Sequence, residues 1–525
     1  MGTRRKPGRG VPEPKSTAAM PQGASHKLLL AAPEVMGFAK TGGLADVAAA
    51  LPRALARRGH HCAVILPLYR CIRQGKVPIF PTDTVFQIPL GTKTVPGRLW
   101  RSTLPDSDVP VYLVEQTEYY ERDDPDSGQG LYQFTLPNGQ KRDYTDNCER
   151  YILFSRAVLE SLPMLDQWPD ILHINDWQTG LVPVYLEEEY RRRPNYDRLR
   201  TLFTIHNLAY QGLFWHWDML LTGLGWHLFN HRQLEFYGRL SFLKGGIVFA
   251  HLLNTVSPSY AREIQTEAFG CGLEGVLAEH KDWLFGIVNG VDYREWNPAT
   301  DHRLATNYDL QSFDRAKPMC KTALQRRVGL PVQPRTPLMG IVSRLVEQKG
   351  LSLVVAAAEV FLQDDTQLVV LGDGDAHFHR MLENLRLRFP RKVALTLGFD
   401  EALAHQIEGG ADIFLMPSQY EPSGLNQLYS LKYGTVPVVR ATGGLADTIT
   451  DCTVETLARG TATGFSFIPY TPGAFLDAVR RAVDLYRNHP DSWRQIIQTG
   501  MEQDWSWNRS AAEYEKLYDK LREKE

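Results

Sequence analysis

Two basic side chains, Arg344 and Lys349, stand five residues apart in the segment SRLVEQKG, which follows the apolar run PLMGIVS. The guanidinium of arginine offers a planar fork to phosphate oxygens, and the ammonium of lysine is a compact charge. The two cations suit a diphosphate and would stabilise the negative charge that develops on a departing nucleotide. The alternative is a surface ion pair with Glu347, which lies between them.

A carboxylate, Glu421, occurs in SQYEPSGLNQ, directly after the apolar run ADIFLMP. This run predicts a buried strand, so Glu421 is expected at the carboxyl end of a strand, where it could bind the hydroxyl groups of a sugar. The alternative is an ordinary acid near a helix N-terminus, where the helix dipole favours a negative charge.

The six residues TGGLAD occur twice, at 41–46 and at 442–447. Each copy follows a predicted strand and precedes a predicted helix, so its glycines would allow backbone N–H groups to approach a ligand. The two copies follow different strands of their lobes, so similar local chemistry explains them better than duplication. The alternative is a pair of ordinary glycine turns. The candidate ligand-binding residues here are Lys40, Gly42, Gly43 and Asp46 near the first copy, and Thr442, Gly443 and Gly444 in the second.

Two histidines follow or end predicted strands of the first half: His173 in HINDWQTG, together with Asp176, and His206 in TIHN. Strand-end histidines are usually structural, but two of them at one sheet edge favour a pocket. The close histidine pairs, 60–61 and 377/379, have no carboxylate or cysteine companions at ligand spacing. The sequence therefore predicts no metal site.

The order of elements predicts how these residues are positioned. A strand KLLLAAPE, a helix LADVAAALPRALARRG that ends at Gly59, and a strand HCAVILPLY form a βαβ unit. The same alternation returns from PLMGIVS to VPVVRA. We therefore predict an α/β fold with two doubly wound, Rossmann-like domains. Ligands bind at the carboxyl ends of parallel strands, so the two sheet edges would face each other across a cleft.

The predicted domain organisation has four parts. Residues 1–25 are basic and rich in Pro and Gly, lack the apolar core of a secretory signal, and are expected to be a disordered tail. A transit peptide is the alternative, because acidic residues are sparse there, although the stretch is short and not amphipathic. Residues 26–253 would form the first domain and residues 254–505 the second, with the junction near Asn254. Residues 506–525 form an amphipathic pattern typical of a helix, which would pack back on the first domain.

Composition excludes several classes of protein. The formal net charge of −2 gives no general attraction to nucleic acid or to an anionic membrane. No run approaches 18 consecutive apolar residues, so no membrane span is predicted. The six cysteines have no CxxC spacing or even framework, which favours a reducing, cytoplasmic location.

A resemblance to a known family rests on several motifs taken in order. KTGGLADV, HINDWQT, NTVSP, VNGVD, SRLVEQKG, QYEPSGLNQLYSLKYG, TGGLADT and DWSWNRSA resemble the bacterial glycogen synthase and plant starch synthase family of retaining glucosyltransferases. The resemblance covers residues 26 to 525. It implies a GT-B fold and transfer of glucose from ADP-glucose to the non-reducing end of an α-1,4-glucan, with retention at the anomeric carbon and without a metal or other cofactor.

The resemblance also implies roles for individual residues. Arg344 and Lys349 would hold the diphosphate and stabilise the leaving ADP, and Glu421 would contact the transferred glucose. His173 would contact the glucose, Lys40 and Asp46 would belong to a loop at the donor and acceptor side, and Asn254 would lie near the sugar at the lobe junction. The backbone N–H groups from Thr442 to Gly444 would bind the sugar nucleotide. Phe399 would contact adenine, at a position where many relatives have Tyr.

Two departures from the family pattern and three alternatives stay open. Ser423 stands where many members have Cys, and Asn426 where they have Thr; both keep a small polar group. The chain could instead be a GT-B enzyme that uses UDP-glucose or a sucrose-type reaction, or a non-catalytic glucan-binding protein. We favour a same-face displacement in which the leaving phosphate takes the acceptor proton, with a covalent intermediate on His173 or Glu421 as the alternative.

Overall fold

A computed structural model describes residues 25–122, 130–136 and 141–523. The predicted disordered tail therefore lies, except for its last residue, outside the described residues. Two large sheets, each covered by helices, dominate the described chain. The predicted α/β class with two Rossmann-like domains is confirmed.

The first lobe is built on a nine-stranded sheet with the order β14-β13-β9-β8-β1-β2-β5-β4-β3. Neighbours from β14 to β5 pair in parallel, and β4 and β3 add an antiparallel hairpin at the edge. The central strands are runs of buried Leu, Ile and Val, as expected of a sheet covered on both faces. The strands are β1 Lys27–Ala31, β2 His61–Pro67, β3 Phe80–Leu90, β4 Lys93–Thr103, β5 Pro110–Glu115, β8 Ile171–Asn175, β9 Arg200–Ile205, β13 Leu252–Thr255 and β14 Leu284–Gly286.

Helices and two small sheets complete this lobe. The predicted βαβ unit is present, and helix α1 buries its apolar face before the chain turns at Gly59, whose φ is 98°. The helices are α1 Gly43–Arg57, α2 Arg70–Arg73, α3 Thr117–Tyr120, α4 Asn147–Ser161, α5 Val182–Tyr185, α6 Met219–Thr222, α7 Phe242–Phe249, α8 Pro258–Glu263 and α9 Glu274–Glu279. The small sheets pair β6 Gln133–Thr135 with β7 Lys141–Asp143, and β10 Leu213–Trp215 with β12 Arg239–Ser241 and β11 Glu235–Phe236.

The second lobe is built on a six-stranded, fully parallel sheet with the order β17-β16-β15-β18-β19-β20. Its strands are β15 Leu338–Val342, β16 Gln367–Gly372, β17 Val393–Leu397, β18 Ile413–Met416, β19 Val436–Arg440 and β20 Phe465–Phe467. Its helices are α10 Phe313–Arg327, α11 Leu351–Phe361, α12 Ala376–Arg388, α13 Glu401–Gly410, α14 Asn426–Tyr433, α15 Gly443–Thr448, α16 Val454–Ala458, α17 Pro472–Asn488 and α18 Pro490–Glu502.

Strand order places one switch point in each sheet. In the second lobe, the sheet extends from the central strand β15 in one direction through β16 and in the other through β18. In the first lobe, the sheet extends from β1 in one direction through β2 and in the other through β8. Loops after such central strands diverge and leave a crevice at the carboxyl edge. The crevices lie beside the loops that follow β1 and β8 in the first lobe, and β15 and β18 in the second.

The boundary between the lobes lies later than the sequence predicted. Asn254 is inside β13, which pairs with β9, and β14 then extends the same sheet to Gly286. The predicted junction at Asn254 is therefore too early. The two strands are only four and three residues long, so their short apolar runs gave little periodic signal.

The C-terminal helix α19, Trp507–Arg522, returns to the first lobe as predicted. Its buried residues join the core of the first lobe, and it packs beside α1. The chain crosses between the lobes at two places. These places are adjacent, since the N–H of Val291 at one donates to the carbonyl of Trp505 at the other at 2.7 Å. In the described part of the chain, no helix has the length and apolarity needed to span a bilayer.

Candidate active site

The switch point of the second lobe brings together two residues that the sequence singled out. Lys349 follows β15 and Glu421 follows β18, and the lysine Nζ lies 2.6 Å from Oε2 of the carboxylate. The hydroxyl of Ser418 donates to the same oxygen at 3.1 Å. Both charged side chains are largely buried, with 20% and 8% of their area exposed. A cation and an anion are thus held at the wall of the crevice.

Arg344 stands in the same loop but remains exposed, and its Nη2 donates to Oε1 of Gln348 at 3.3 Å. Gln348 also ties this loop to the loop of Glu421, because its Nε2 donates to the carbonyl of Tyr420 at 3.2 Å. Glu347 accepts a hydrogen bond from Ser352 and makes no ion pair with any described residue. The alternative interpretation, an ion pair between Glu347 and the two cations, is therefore wrong for this structure.

The second TGG segment packs tightly against the Glu421 loop. The N–H of Gly444 donates to the carbonyl of Glu421 at 3.1 Å. A Cβ added to Gly443, whose φ is 46°, would lie 2.0 Å from that same carbonyl oxygen, and one added to Gly444 would lie 2.0 Å from the carbonyl of Ser423. Only glycine allows the two backbones to approach this closely.

Residues of the first lobe also hold this segment. Glu263, at the end of α8, accepts from the N–H of Gly443 at 2.9 Å and from the hydroxyl of Thr442 at 3.1 Å. Asp447 accepts from the backbone N–H of Ser259 at 2.9 Å and from its hydroxyl at 2.6 Å. The expected donation by Gly443 to a ligand thus competes here with donation to Glu263.

The first TGG segment has a different environment. A buried acid, Glu34, accepts from the hydroxyl of Thr41 at 2.6 Å and from the N–H of Gly42 at 3.2 Å. A Cβ on Gly42 or Gly43 would meet no atom within 4 Å, so open space lies before the start of α1. Lys40 and Asp46 flank that space and form an ion pair of 2.7 Å.

Asp176 lies after β8, at the switch point of the first lobe. Its backbone has φ 56° and ψ −179°, a conformation that non-glycine residues adopt only at a cost in free energy. Oδ1 accepts from the N–H of His206 at 2.7 Å. Burial, with a contribution from the charge of Glu34, raises the pKa of Asp176 to about 7. Strain and a shifted pKa together mark this turn as a candidate functional position.

His173 and Asn254 are not at the crevice. His173 is only 1% exposed, its Nδ1 lies 3.0 Å from the hydroxyl of Tyr518 and its Nε2 lies 2.7 Å from the hydroxyl of Thr204. Asn254 is buried as well, and its Oδ1 accepts from Thr204 and from Tyr514.

The two residues belong instead to a polar network between the first sheet and α19. The expectation that they contact a sugar is wrong, because side chains in strand interiors alternate between faces. These two point under the C-terminal helix rather than to the strand ends.

His206 is the histidine that reaches the strand ends, where its Nε2 contacts Oδ1 of Asn175 at 2.9 Å. Burial lowers the pKa of His206 to about 3, so the ring is neutral. Phe399, after β17, is 90% exposed at the carboxyl edge of the second sheet. Its ring is therefore free to face a ligand.

Two observations show that the lobes face each other across this region. Burial raises the pKa of Tyr420, in the second lobe, and the side chain of Asn207, in the first lobe, opposes that shift. Burial raises the pKa of Tyr429, in α14, and the charge of Asp46 adds to that shift. The first TGG segment therefore lies within electrostatic reach of the helix that follows Glu421.

One group of described residues has the spacing of a metal site, and it lies outside this crevice. Glu295, Glu401 and His405 could each offer one atom. Arg303 Nη2 already lies 2.8 Å from Oε1 of Glu295 and 3.3 Å from Oε1 of Glu401. The guanidinium thus takes the place of a cation between the two carboxylates.

Sequence reasoning missed Glu34 and Glu263, the two acids that hold the TGG segments. Each stands on or beside an element whose motif was recognised: Glu34 ends the strand run KLLLAAPE, and Glu263 follows NTVSPSYAR. An isolated acid has no spacing signal. Only the fold places each one against backbone N–H groups.

Comparisons with known proteins agree with this arrangement. Residues 27–279 match the family described as starch synthase catalytic domain, and residues 325–499 match glycosyl transferases group 1. The chain is 46% identical to glycogen synthase 2 of Geobacter sulfurreducens, over 94% of this chain and 98% of that protein. It is also 46% identical to a glycogen synthase of Anaeromyxobacter dehalogenans, over 94% and 99% of the two chains.

Solved structures give the same result. The catalytic domain of starch synthase IV from Arabidopsis thaliana, bound to ADP and acarbose, superposes with a TM-score of 0.85 at 33% identity, over 95% of this chain and all of that one. Sucrose-phosphate synthase from Thermosynechococcus elongatus shares the fold, with a TM-score of 0.53 at 17% identity, over 94% of this chain and 99% of that one.

Proposed function

Because the chain belongs to the glycogen and starch synthase family of glycosyltransferases with the GT-B fold, we propose that it uses ADP-glucose as the donor. It transfers glucose to the non-reducing end of an α-1,4-glucan and retains the anomeric configuration. The observation that carries the proposal is the Lys349–Glu421 pair at the switch point of the second sheet, with Arg344 in the same loop.

The charges of this pair suit a sugar diphosphate. In the resting site the ammonium of Lys349 is neutralised by Glu421 at 2.6 Å. A donor diphosphate brings negative charge to the same place, and the exposed guanidinium of Arg344 is free to add a second cation. Both cations then stabilise the charge that grows on the leaving ADP, while the carboxylate of Glu421 accepts hydrogen bonds from glucose hydroxyls.

The first lobe supplies the opposite wall. Open space before Gly42 and Gly43 lets a ligand approach the start of α1, and the charges of Lys40 and Asp46 flank it. Asp176, with its strained backbone, projects from the neighbouring strand end. We assign this wall to the acceptor and to the outer part of the donor, so that closure of the lobes brings the two substrates together and excludes water.

We propose a same-face displacement, in which the bond to the diphosphate breaks as the acceptor oxygen bonds to the anomeric carbon, and the leaving phosphate takes the acceptor proton. A covalent intermediate on His173 would require that imidazole to reach the sugar. Its burial and its two hydrogen bonds argue against that route. Glu421 is left as the alternative nucleophile, but its ion pair with Lys349 lowers its nucleophilicity.

The choice of nucleotide is part of the proposal and depends on the surroundings of Phe399. This exposed ring is placed to stack on a base, and stacking alone accepts adenine or uracil. A turnover ratio that favours ADP-glucose over UDP-glucose is expected. A ratio that favours UDP-glucose would assign the chain to a different donor class.

We also propose a cytoplasmic location. All six cysteines are unpaired, which is usual in a reducing compartment.

One experiment tests the donor, the acceptor and metal independence together. The protein is incubated with labelled ADP-glucose and glycogen in the presence of EDTA, and label in the precipitated polymer is counted. Incorporation that is unchanged by EDTA is expected. Binding of both substrates without incorporation would show a glucan-binding protein and overturn the proposal.

A further inference from the structure

A group of aromatic side chains lies exposed on the first lobe, away from the residues assigned above. Trp215, Trp217 and Trp226 are 62%, 49% and 43% exposed. Together with His216 and Phe229 we call them the aromatic shelf. Successive ring centroids are 5.5 Å apart between Trp217 and Trp226 and 6.4 Å apart between Trp215 and Trp217. Soluble proteins rarely expose several large aromatic rings in contact with one another, and such patches mark binding sites.

The shelf is rigidly supported. Trp215 ends strand β10, and Trp226 begins a short helical turn in which the N–H of Phe229 donates to its carbonyl at 3.0 Å. Beneath the shelf, Phe214 packs on Phe242 with ring centroids 4.7 Å apart. The rings are therefore presented in fixed positions, and a ligand would pay little to order them.

The polar chemistry of the shelf suits a neutral ligand that carries hydroxyl groups. Among the described residues, none accepts a hydrogen bond from the indole N–H of Trp215, Trp217 or Trp226, so three donors are open to solvent. Beside the shelf, Nε2 of His227 lies 3.7 Å from a carboxylate oxygen of Glu188. A pyranose ring offers an apolar face of C–H groups to an aromatic ring and hydroxyl groups at its edge, and both find partners here.

A short segment of chain joins the cleft to the strand β10 that carries Trp215. Tyr210, 54% exposed, is close enough to Tyr420 of the second lobe to raise that residue's pKa, a shift caused first by burial. The chain from Tyr210 to Trp215 spans at most about 18 Å. The shelf and the cleft are therefore close enough for one polysaccharide chain to reach both.

We propose that the aromatic shelf is a second binding site for the α-1,4-glucan, one that holds the acceptor polymer beside the cleft while its end is extended. This inference rests on the proposed function for the identity of the glucan. A site of this kind raises the effective concentration of chain ends at the reacting centre. Its contribution is largest for long polymers and smallest for acceptors too short to reach the shelf.

The test measures glucan binding separately from turnover. Mobility of the full-length protein in native gels with and without glycogen gives a dissociation constant. For the double variant Trp215→Ala and Trp217→Ala we expect binding to glycogen to weaken about tenfold, the loss of two stacking contacts. The ratio of KM for glycogen to KM for maltotriose should rise by a similar factor. Phe80→Ala, which removes a 62% exposed ring at the far end of β3, is the control and should leave glycogen binding unchanged.

Further arms cover the other outcomes. Trp217→Phe keeps a ring and should retain most of the binding, so it remains informative if the alanine variants unfold. If turnover with ADP-glucose is absent but tryptophan-dependent binding to glycogen remains, the proposed donor is wrong and the shelf stands. If turnover is present and all shelf variants bind glycogen like the unsubstituted protein, the shelf proposal is overturned. A change in oligomeric state with unchanged glycogen binding would likewise overturn it, in favour of a second copy of the chain.

Discussion

The ion pair between Lys349 and Glu421 allows a prediction that separates catalysis from folding. In the variant Lys349→Ala, the carboxylate of Glu421, 8% exposed, keeps Ser418 as a hydrogen-bond donor but loses its cation. At 2.6 Å the direct attraction amounts to about 6 kcal/mol at an effective dielectric constant of 20. Desolvation offsets part of it, so we expect a net loss of about 3 kcal/mol in the free energy of unfolding.

In the proposed reaction, the same substitution removes a cation from the leaving diphosphate. Loss of one such group at a reacting centre lowers kcat by about 10²- to 10³-fold, or roughly 3–4 kcal/mol in the activation free energy. Steady-state transfer of label from ADP-glucose to glycogen gives kcat, and thermal unfolding gives stability. In the double variant Lys349→Ala with Glu421→Ala, no unpaired charge remains, so stability should recover by about 1–2 kcal/mol while kcat stays low.

A matched control lies in the same lobe, away from the cleft. Lys321 Nζ is 2.6 Å from Oδ2 of Asp412, and the two side chains are 4% and 13% exposed. Lys321→Met should destabilise the second lobe to a similar degree and leave kcat of the folded protein unchanged. If Lys349→Ala keeps kcat within tenfold, or if both lysine variants lose kcat equally, the catalytic role of the pair is refuted.

Three further predictions concern the two TGG segments, the C-terminal helix and the turn after β8. Gly444→Ala should abolish transfer and lower thermal stability, because its Cβ would lie 2.0 Å from a carbonyl oxygen. Gly43→Ala should keep its thermal stability, since no atom lies within 4 Å of an added Cβ. Calorimetry compares the two variants, and equal melting temperatures would contradict the packing argument. Tyr518→Phe removes the hydrogen bond to buried His173, so it should lower the free energy of unfolding by about 1 kcal/mol without changing KM for either substrate. A raised KM would indicate that His173 contacts the sugar. Burial raises the pKa of Asp176 from the ordinary 3.8 of an aspartate to about 7, so its contribution to stability is present below pH 3.8 and is lost as the pH rises through 7. Asp176→Asn should flatten the dependence of the melting temperature on pH between these values, and an unchanged profile would contradict the shift.

The contact between Glu263 and the second TGG segment indicates how the resting site is arranged. Backbone donors that could serve a ligand already serve a carboxylate of the opposite lobe. Burial raises the pKa of Glu263, and the N–H of Gly443 opposes that shift. A bound donor would have to share or replace this contact. The lobes are therefore tied together at the place where they must also move.

The sequence alone determined the elements and the chemistry carried within single motifs. Apolar runs separated by glycine loops gave both Rossmann-like sheets, because strand and helix periods are local properties. SRLVEQKG and SQYEPSGLNQ gave Lys349 and Glu421, since each motif stands at a strand end. The order of motifs along the chain gave the family, which the matches over 94% of the chain confirm.

Tertiary structure alone decided which strand-end side chains face the cleft. His173 and Asn254 occur in motifs like the others, but their strands turn them under α19, and this depends on the packing of a helix more than 250 residues later in the chain. The late lobe boundary and the acids Glu34 and Glu263 have the same cause. They depend on pairings between segments distant in the sequence, for which a local pattern carries no signal. Exposure is also a property of the assembled surface, so the sequence alone does not show that Trp215, Trp217 and Trp226 lie exposed.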